Sequence, residues 1–368
     1  MASGIGGDLN MGFDEKGWRE NIRKVTPYVP GEQPQGDGII KLNTNENPYP
    51  PAPGVSKVLK EFDAARLRKY PKPLCDGLLA ALAGWFSVAP ENIFVGTGSD
   101  DVLAMSFLTF FNSKEGKPIL FPDVTYSFYD VWADVYRIPY ETKKLDGDFR
   151  IKAEDYYPVN GGVVIANPNA PTGIGESLDL IKDILDHNRD SVVIVDEAYI
   201  DFGAESALPL IKEYDNLIVV RTMSKSRAMA GMRLGYCFGN EKLIGYLNDV
   251  KYSVNSYTLN YPSIAAGKAA IEDREYFESI VERVKATRER TAGIMSGLGF
   301  SYYPSDTNFL FVKPPEGCRA VEIFEALKEK DIYVRYFKKE RISDYLRITI
   351  GTDEEMDALI DALRDILV

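Results

Sequence analysis

The chain has 368 residues, 45% of them hydrophobic and 27% charged, the balance of an ordinary globular protein, and it is longer than one hydrophobic core usually serves. A formal charge of −12 argues against a general nucleic-acid binder, and no run is long and apolar enough to span a bilayer. A single histidine, His187 in the polar run Asp186–Arg189, excludes histidine-based triads and most zinc sites, and three scattered cysteines (Cys75, Cys237, Cys318) in no metal or disulfide spacing fit a reducing cytoplasm.

In chain order, Met1 to Met11 is Gly-rich and polar, without a secretory pattern. Residues 1–40 read as an arm, with a short amphipathic piece around Trp18 to Val25 and Pro- and Gly-rich links. From about residue 70 to 245, helical periodicity alternates with short apolar runs, which predicts an α/β layered domain. Strands are expected at Ile93–Val95, Pro118–Phe121, Val163–Ile165, Val192–Val195, Leu217–Val220 and Tyr236–Phe238. Each is continuously apolar, as strands covered on both faces are. A long charged helix is expected from Ile264 to Leu298, linking to a smaller α+β domain. That domain has strands at Phe309–Val312 and Leu346–Ile350 and helices near 319–329 and 353–367. The expected division is 1–48 (the arm and part of the small domain), 49–260 (the large domain) and 261–368 (the small domain).

Chemistry-bearing residues recur where these strands end, the usual ligand position in open α/β sheets. Lys225, in Arg221-Thr222-Met223-Ser224-Lys225-Ser226, follows an apolar β-branched run and suits a Schiff base with an aldehyde cofactor. The hydroxyls of Thr222, Ser224 and Ser226, with Arg233 eight residues past the lysine, suit a phosphate on that cofactor. Gly96-Thr97-Gly98-Ser99-Asp100-Asp101 reads either as an anion site at a helix start or as a plain cap. Asn167-Pro168-Asn169-Ala170-Pro171-Thr172-Gly173 is a rigid turn in which an asparagine amide can donate to a phenolate oxygen. Asp196, in Asp196-Glu197-Ala198-Tyr199, ends a buried strand and needs a partner; a protonated pyridine nitrogen and a helix cap both provide one. Tyr126 can cover a planar group or simply fill the core. The glycine spacing of a nicotinamide dinucleotide site is missing.

Taken in order, these motifs resemble the fold-type I pyridoxal-phosphate enzymes, and among them the class II aminotransferases, from Thr26-Pro27-Tyr28 almost to the C-terminus. Leu42-Asn43-Thr44-Asn45-Glu46-Asn47-Pro48, Arg68-Lys69-Tyr70-Pro71, Asp306-Thr307-Asn308-Phe309 and Tyr345 to Gly351 resemble the branch whose substrates are histidinol phosphate and 2-oxoglutarate. The resemblance implies pyridoxal 5'-phosphate linked to Lys225, with Asp196 on its ring nitrogen, Tyr199 on its ring oxygen and Tyr126 stacked on the ring. It implies Ser99, Asp100, Thr222, Ser224 and Arg233 around the phosphate, and Tyr70 reaching that phosphate from the second subunit of a homodimer. In better-known members the ring-binding asparagine directly precedes Pro-Thr-Gly; that position here is Ala170, so either Asn169 takes the role after a small backbone shift, which is the expectation, or Asn167 does, or the hydrogen bond is missing. Arg335 and Arg347 resemble the residues that hold the substrate's anionic end, with Tyr28 adding a hydroxyl and Asn45 or Glu46 facing the imidazole. The partners expected are therefore a small amino donor and a 2-oxo acid, with no nucleic acid, membrane or metal. A threonine-phosphate decarboxylase-like lyase and an aromatic amino-acid aminotransferase share the cofactor residues. A non-catalytic binding module is disfavoured by the intact Lys225, Asp196 and Arg233.

Overall fold

The computed structural model describes residues 17–36, 38–112 and 115–367. The expected elements of residues 1–16 lie outside it; of the amphipathic piece, a 3₁₀ turn at Gly17–Asn21 is described. In chain order the strands are β1 (Ile40–Lys41), β2 (Ile93–Gly96), β3 (Ile119–Pro122), β4 (Tyr140–Lys143), β5 (Gly162–Ala166), β6 (Val193–Asp196), β7 (Leu217–Thr222), β8 (Gly235–Gly239), β9 (Ser301–Tyr302), β10 (Phe309–Lys313), β11 (Ile332–Tyr333), β12 (Arg335–Tyr336) and β13 (Leu346–Thr349). The helices are α1 (Pro53–Lys60), α2 (Asp76–Phe86), α3 (Ser99–Phe110), α4 (Tyr129–Tyr136), α5 (Leu178–Asp186), α6 (Glu241–Val254), α7 (Tyr261–Glu272), α8 (Arg274–Gly297), α9 (Ala320–Glu329) and α10 (Asp353–Ile366).

The large sheet runs β2-β8-β7-β6-β5-β3-β4. All its pairings are parallel except those of β8, which is antiparallel to β2 and β7. Its central strands are buried along their full length because both faces are covered. One face packs on α1, α2, α5 and α7 through Val55, Leu82, Ile184 and Ala270, and the other on α3, α4 and α6 through Leu103, Trp132 and Leu247. Each buried Val or Ile contributes roughly 1.5–3 kcal/mol. β4 was not expected from the sequence. It is an edge strand whose Tyr140, Glu141 and Thr142 are exposed, so it carries no apolar run.

The small domain packs the sheet β12-β13-β10-β9 against α8, α9 and α10. β1 of the arm joins it by pairing in parallel with β11. The single helix expected over 264–298 is two: α7 ends at Asp273, whose side chain accepts from Tyr276 N–H and starts α8. Ala266, Ala270 and Ile271 of α7 belong to the large core and Ile280, Val281 and Val284 of α8 to the small one. The core therefore changes at Asp273 rather than after residue 260. Among the described residues no helix is long and apolar enough to cross a membrane, and no cluster of His, Cys, Asp or Glu has metal-ligand geometry.

Candidate active site

The carboxyl ends of β2, β6 and β7, with the segment after β3, deliver Ser99, Asp100, Tyr126, Asp196, Tyr199, Thr222, Ser224, Lys225 and Arg233 to one cavity. Thr44 and Glu46 of the arm close it from the opposite side.

Lys225 is the central cation. Its Nζ donates to the Thr44 carbonyl at 3.1 Å and lies 5.9 Å from the centre of the Tyr199 ring. Burial first, then the positive charge of Arg347, push the amine down to about 8, against the opposing pull of Glu46 and Asp100. Asp196, on the strand beside it, is buried and accepts from Tyr129 Oη at 2.8 Å and Ala198 N–H at 3.2 Å. Burial pushes its carboxyl up to about 6. Tyr199 takes a hydrogen bond from Asn45 Nδ2 at 2.8 Å, and burial holds its hydroxyl above the ordinary tyrosine range.

One end of the cavity is a cradle for an anion. Ser99 begins α3, so the free N–H groups of that first turn point into it. Thr222 Oγ1 donates to Ser224 Oγ at 2.9 Å, and Arg233 Nη2 lies 3.1 Å from Asp100 Oδ2. Two glycines make the close approach possible. A Cβ on Gly98 (φ +84) would sit 2.6 Å from Arg233 Nη2, and one on Gly235 would sit 2.2 Å from the Gly98 carbonyl carbon. Tyr126 Oη donates to Asp100 Oδ1 at 2.8 Å, which ties the covering ring to the cradle.

Three expectations are redirected by the geometry. The Asn169 amide donates to the Val124 carbonyl (2.9 Å) and Thr172 Oγ1 (3.0 Å), and its oxygen accepts from Thr125. Asn167 exchanges two hydrogen bonds with the Glu176 backbone. Both side chains brace the loop, while Pro168 and Ala170 face the cavity. Ser226, expected near a phosphate, is buried on the reverse side and donates to Asp201 Oδ2 at 2.6 Å. Asn45 is held by Thr349 and Tyr199 and lines no part of the cavity; Glu46 does, and it pairs with Lys41.

Arg347 and Arg335 are paired across β13 and β12, and their guanidinium carbons lie 5.5 and 5.4 Å from the centre of the Phe337 ring. Arg347 Nη2 donates to the Asn43 carbonyl at 3.0 Å, but its buried Nε has no partner. Among the described residues neither arginine forms an ion pair with a carboxylate, so both are available to an anion. Tyr28 stacks on Phe128 at 4.2 Å and lines the adjoining cleft with Arg335. Tyr70 is 76% exposed and stacked on Tyr257, away from this chain's own cavity.

Sequence reading missed Tyr129 and a buried ion pair behind the floor. Glu197 receives Arg221 Nε at 3.0 Å, Ser206 and Ala207 N–H, and Arg221 extends to Asp201. The signal was the period of two: Glu197 and Arg221 each adjoin a cavity residue at the end of a strand and so face the other way.

The family Aminotransferase class I and II matches residues 37–363, and the chain belongs to it. A histidinol-phosphate aminotransferase of Chromohalobacter salexigens is 52% identical over 95% of this chain and 98% of its own length. One from Clostridium botulinum (strain Okra) is 48% identical over 96% and 99%. The crystal structure of histidinol-phosphate aminotransferase from Sinorhizobium meliloti in complex with pyridoxal-5'-phosphate superposes with a TM-score of 0.80 at 25% identity, over 89% of this chain and 90% of that one. The architecture is that of fold type I.

Proposed function

We propose that this chain is a pyridoxal-phosphate-dependent aminotransferase that interconverts histidinol phosphate plus 2-oxoglutarate and imidazole acetol phosphate plus glutamate. The observation that carries the reading is one cavity with a buried lysine beside a buried aspartate and an anion cradle with Arg233 at one end. Arg347, whose charge acts on Lys225, and Arg335, in the adjoining cleft, lie beside it without a carboxylate partner among the described residues.

The residues fit the cofactor group by group. The α3 N-terminus, Thr222, Ser224 and Arg233 suit its phosphate, Asp196 its protonated ring nitrogen, Tyr199 its ring oxygen and Lys225 its aldehyde. The glycines at 98 and 235 let Arg233 and the start of β8 pack directly against the backbone that forms the cradle. When bound, the cofactor supplies an electron sink for the carbanion at the substrate α-carbon. Lys225 Nζ accepts the α-proton and returns it; with the amine pushed down to about 8, roughly a tenth is neutral at pH 7, far more than for an ordinary lysine. Asp196, as a carboxylate, holds the ring nitrogen proton in place. Tyr126 covers the cavity and excludes water.

Arg347 and Arg335 bind the substrate's anionic end, and guanidinium groups accept a phosphate or a carboxylate alike, so one pocket serves both substrates. Tyr28 is placed to add its hydroxyl, and Glu46 is the cavity residue available to an imidazole N–H. A homodimer is part of the same reading. The exposed Tyr70, Leu74 and Tyr257 form the contact face, and Tyr70 serves the partner's cavity. Free cysteines throughout agree with a cytoplasmic enzyme.

The test is a donor comparison on the purified protein. Histidinol phosphate and glutamate are expected to convert the cofactor to its aminated form, with kcat/KM for histidinol phosphate at least about tenfold above phenylalanine. Carbon dioxide release from threonine phosphate, or a preference for phenylalanine, overturns the substrate reading.

A further inference from the structure

Tyr129 has no part in the roles above, yet its hydroxyl reaches Asp196. It opens α4, is fully buried, and crosses to the end of β6 to donate to Asp196 Oδ2 at 2.8 Å. Its ring is locked edge-on against Phe121 (5.9 Å) and Tyr126 (5.7 Å) and stacked on Phe107 (6.2 Å), which fixes the direction of the hydroxyl. We propose that Tyr129 is a positioning residue that keeps Asp196 ionised and correctly aimed at the cofactor ring nitrogen. The inference rests on the cofactor reading.

The surroundings explain why such a donor is needed. Burial drives Asp196 toward its neutral acid, and a neutral acid cannot hold a pyridinium. The negative charges of Asp100, from α3, and Glu197, the residue after β6, push the same way. Each is moderated by an arginine, Arg233 at 3.1 Å and Arg221 at 2.9 Å. Tyr126 and Tyr199 remain neutral hydroxyls near it, since burial holds both above the ordinary tyrosine range. Against these stand two hydrogen bonds, the larger from Tyr129 and the smaller from the Ala198 N–H. Burial holds the Tyr129 hydroxyl far above neutral pH, so it acts as a donor throughout the working range.

The experiment titrates pyridoxal phosphate into the apo-protein from pH 6 to 8.5, by absorbance, for the wild type, Tyr129→Phe, Asp196→Asn and the double variant. Phenylalanine keeps the ring packing, and circular dichroism confirms the fold. Tyr129→Phe is expected to weaken binding about tenfold near pH 6.5, recovering to within about twofold at pH 8.5 as the carboxyl ionises without help. In the Asp196→Asn background the same change is expected to do nothing. An equal loss at every pH, an equal loss in the Asn background, or no loss in any background overturns the inference. Failure of the wild type to bind pyridoxal phosphate at all overturns the cofactor reading and this inference with it.

Discussion

At the floor of the cavity the polar groups have partners within the chain. Asp196 accepts from Tyr129 and Ala198, Ser226 is tied to Asp201, and Glu197 is matched to Arg221. On the arm's side, where it meets the small domain, the donor Arg347 Nε is buried without one. A buried polar group without a partner costs about 1–3 kcal/mol, so the fold tolerates it where a ligand supplies the missing bond. The floor is thus a finished frame that holds the cofactor, and the opposite wall is an incomplete one that waits for an anion.

The contrast can be broken by variants on either side. The largest effect is expected from Lys225→Ala, which removes the base itself and lowers transamination by at least about a thousandfold in steady-state assays. Next is Arg221→Ala, which leaves Glu197 buried and unpaired and is expected to cost about 3–5 kcal/mol in urea unfolding. Retained stability would mean that the floor is not held by that pair. Arg347→Ala is expected to raise KM for both substrates about a hundredfold, measured with the cofactor saturating. Equal activity in the variant and the parent would remove the anion role from that wall.

The smallest effect is one of pH. Lys225 is held near 8, and its neutral form is the one that captures the cofactor, so uptake by the apo-protein should rise about tenfold between pH 7 and 9 and then level. In Arg347→Ala, which removes a neighbouring positive charge, the same rise is expected at higher pH, as followed by stopped-flow absorbance.

Much of this was legible in the sequence, and the exceptions share a cause. The buried strands announced themselves as apolar runs, and Lys225, Asp196, Tyr199, Ser99, Asp100, Thr222, Ser224, Arg233 and Tyr126 meet in the cavity as strand-end positions should. β4 was hidden because an exposed edge strand has no apolar pattern. Ser226 was misplaced because a hydroxyl next to Lys225 says nothing about which side of the loop it faces. Asn167 and Asn169 were assigned by type, whereas the partners that engage their amides lie in Val124, Thr172 and Glu176. Tyr129 looked like any core aromatic, since its acceptor is 67 residues away in the chain.

The account stands most directly on which amine receives the cofactor. Reconstitution with pyridoxal phosphate, reduction with borohydride and peptide mass mapping should place a single cofactor mass on Lys225, absent from Lys225→Ala. A tag on any other lysine, or none on the wild-type protein, would contradict it.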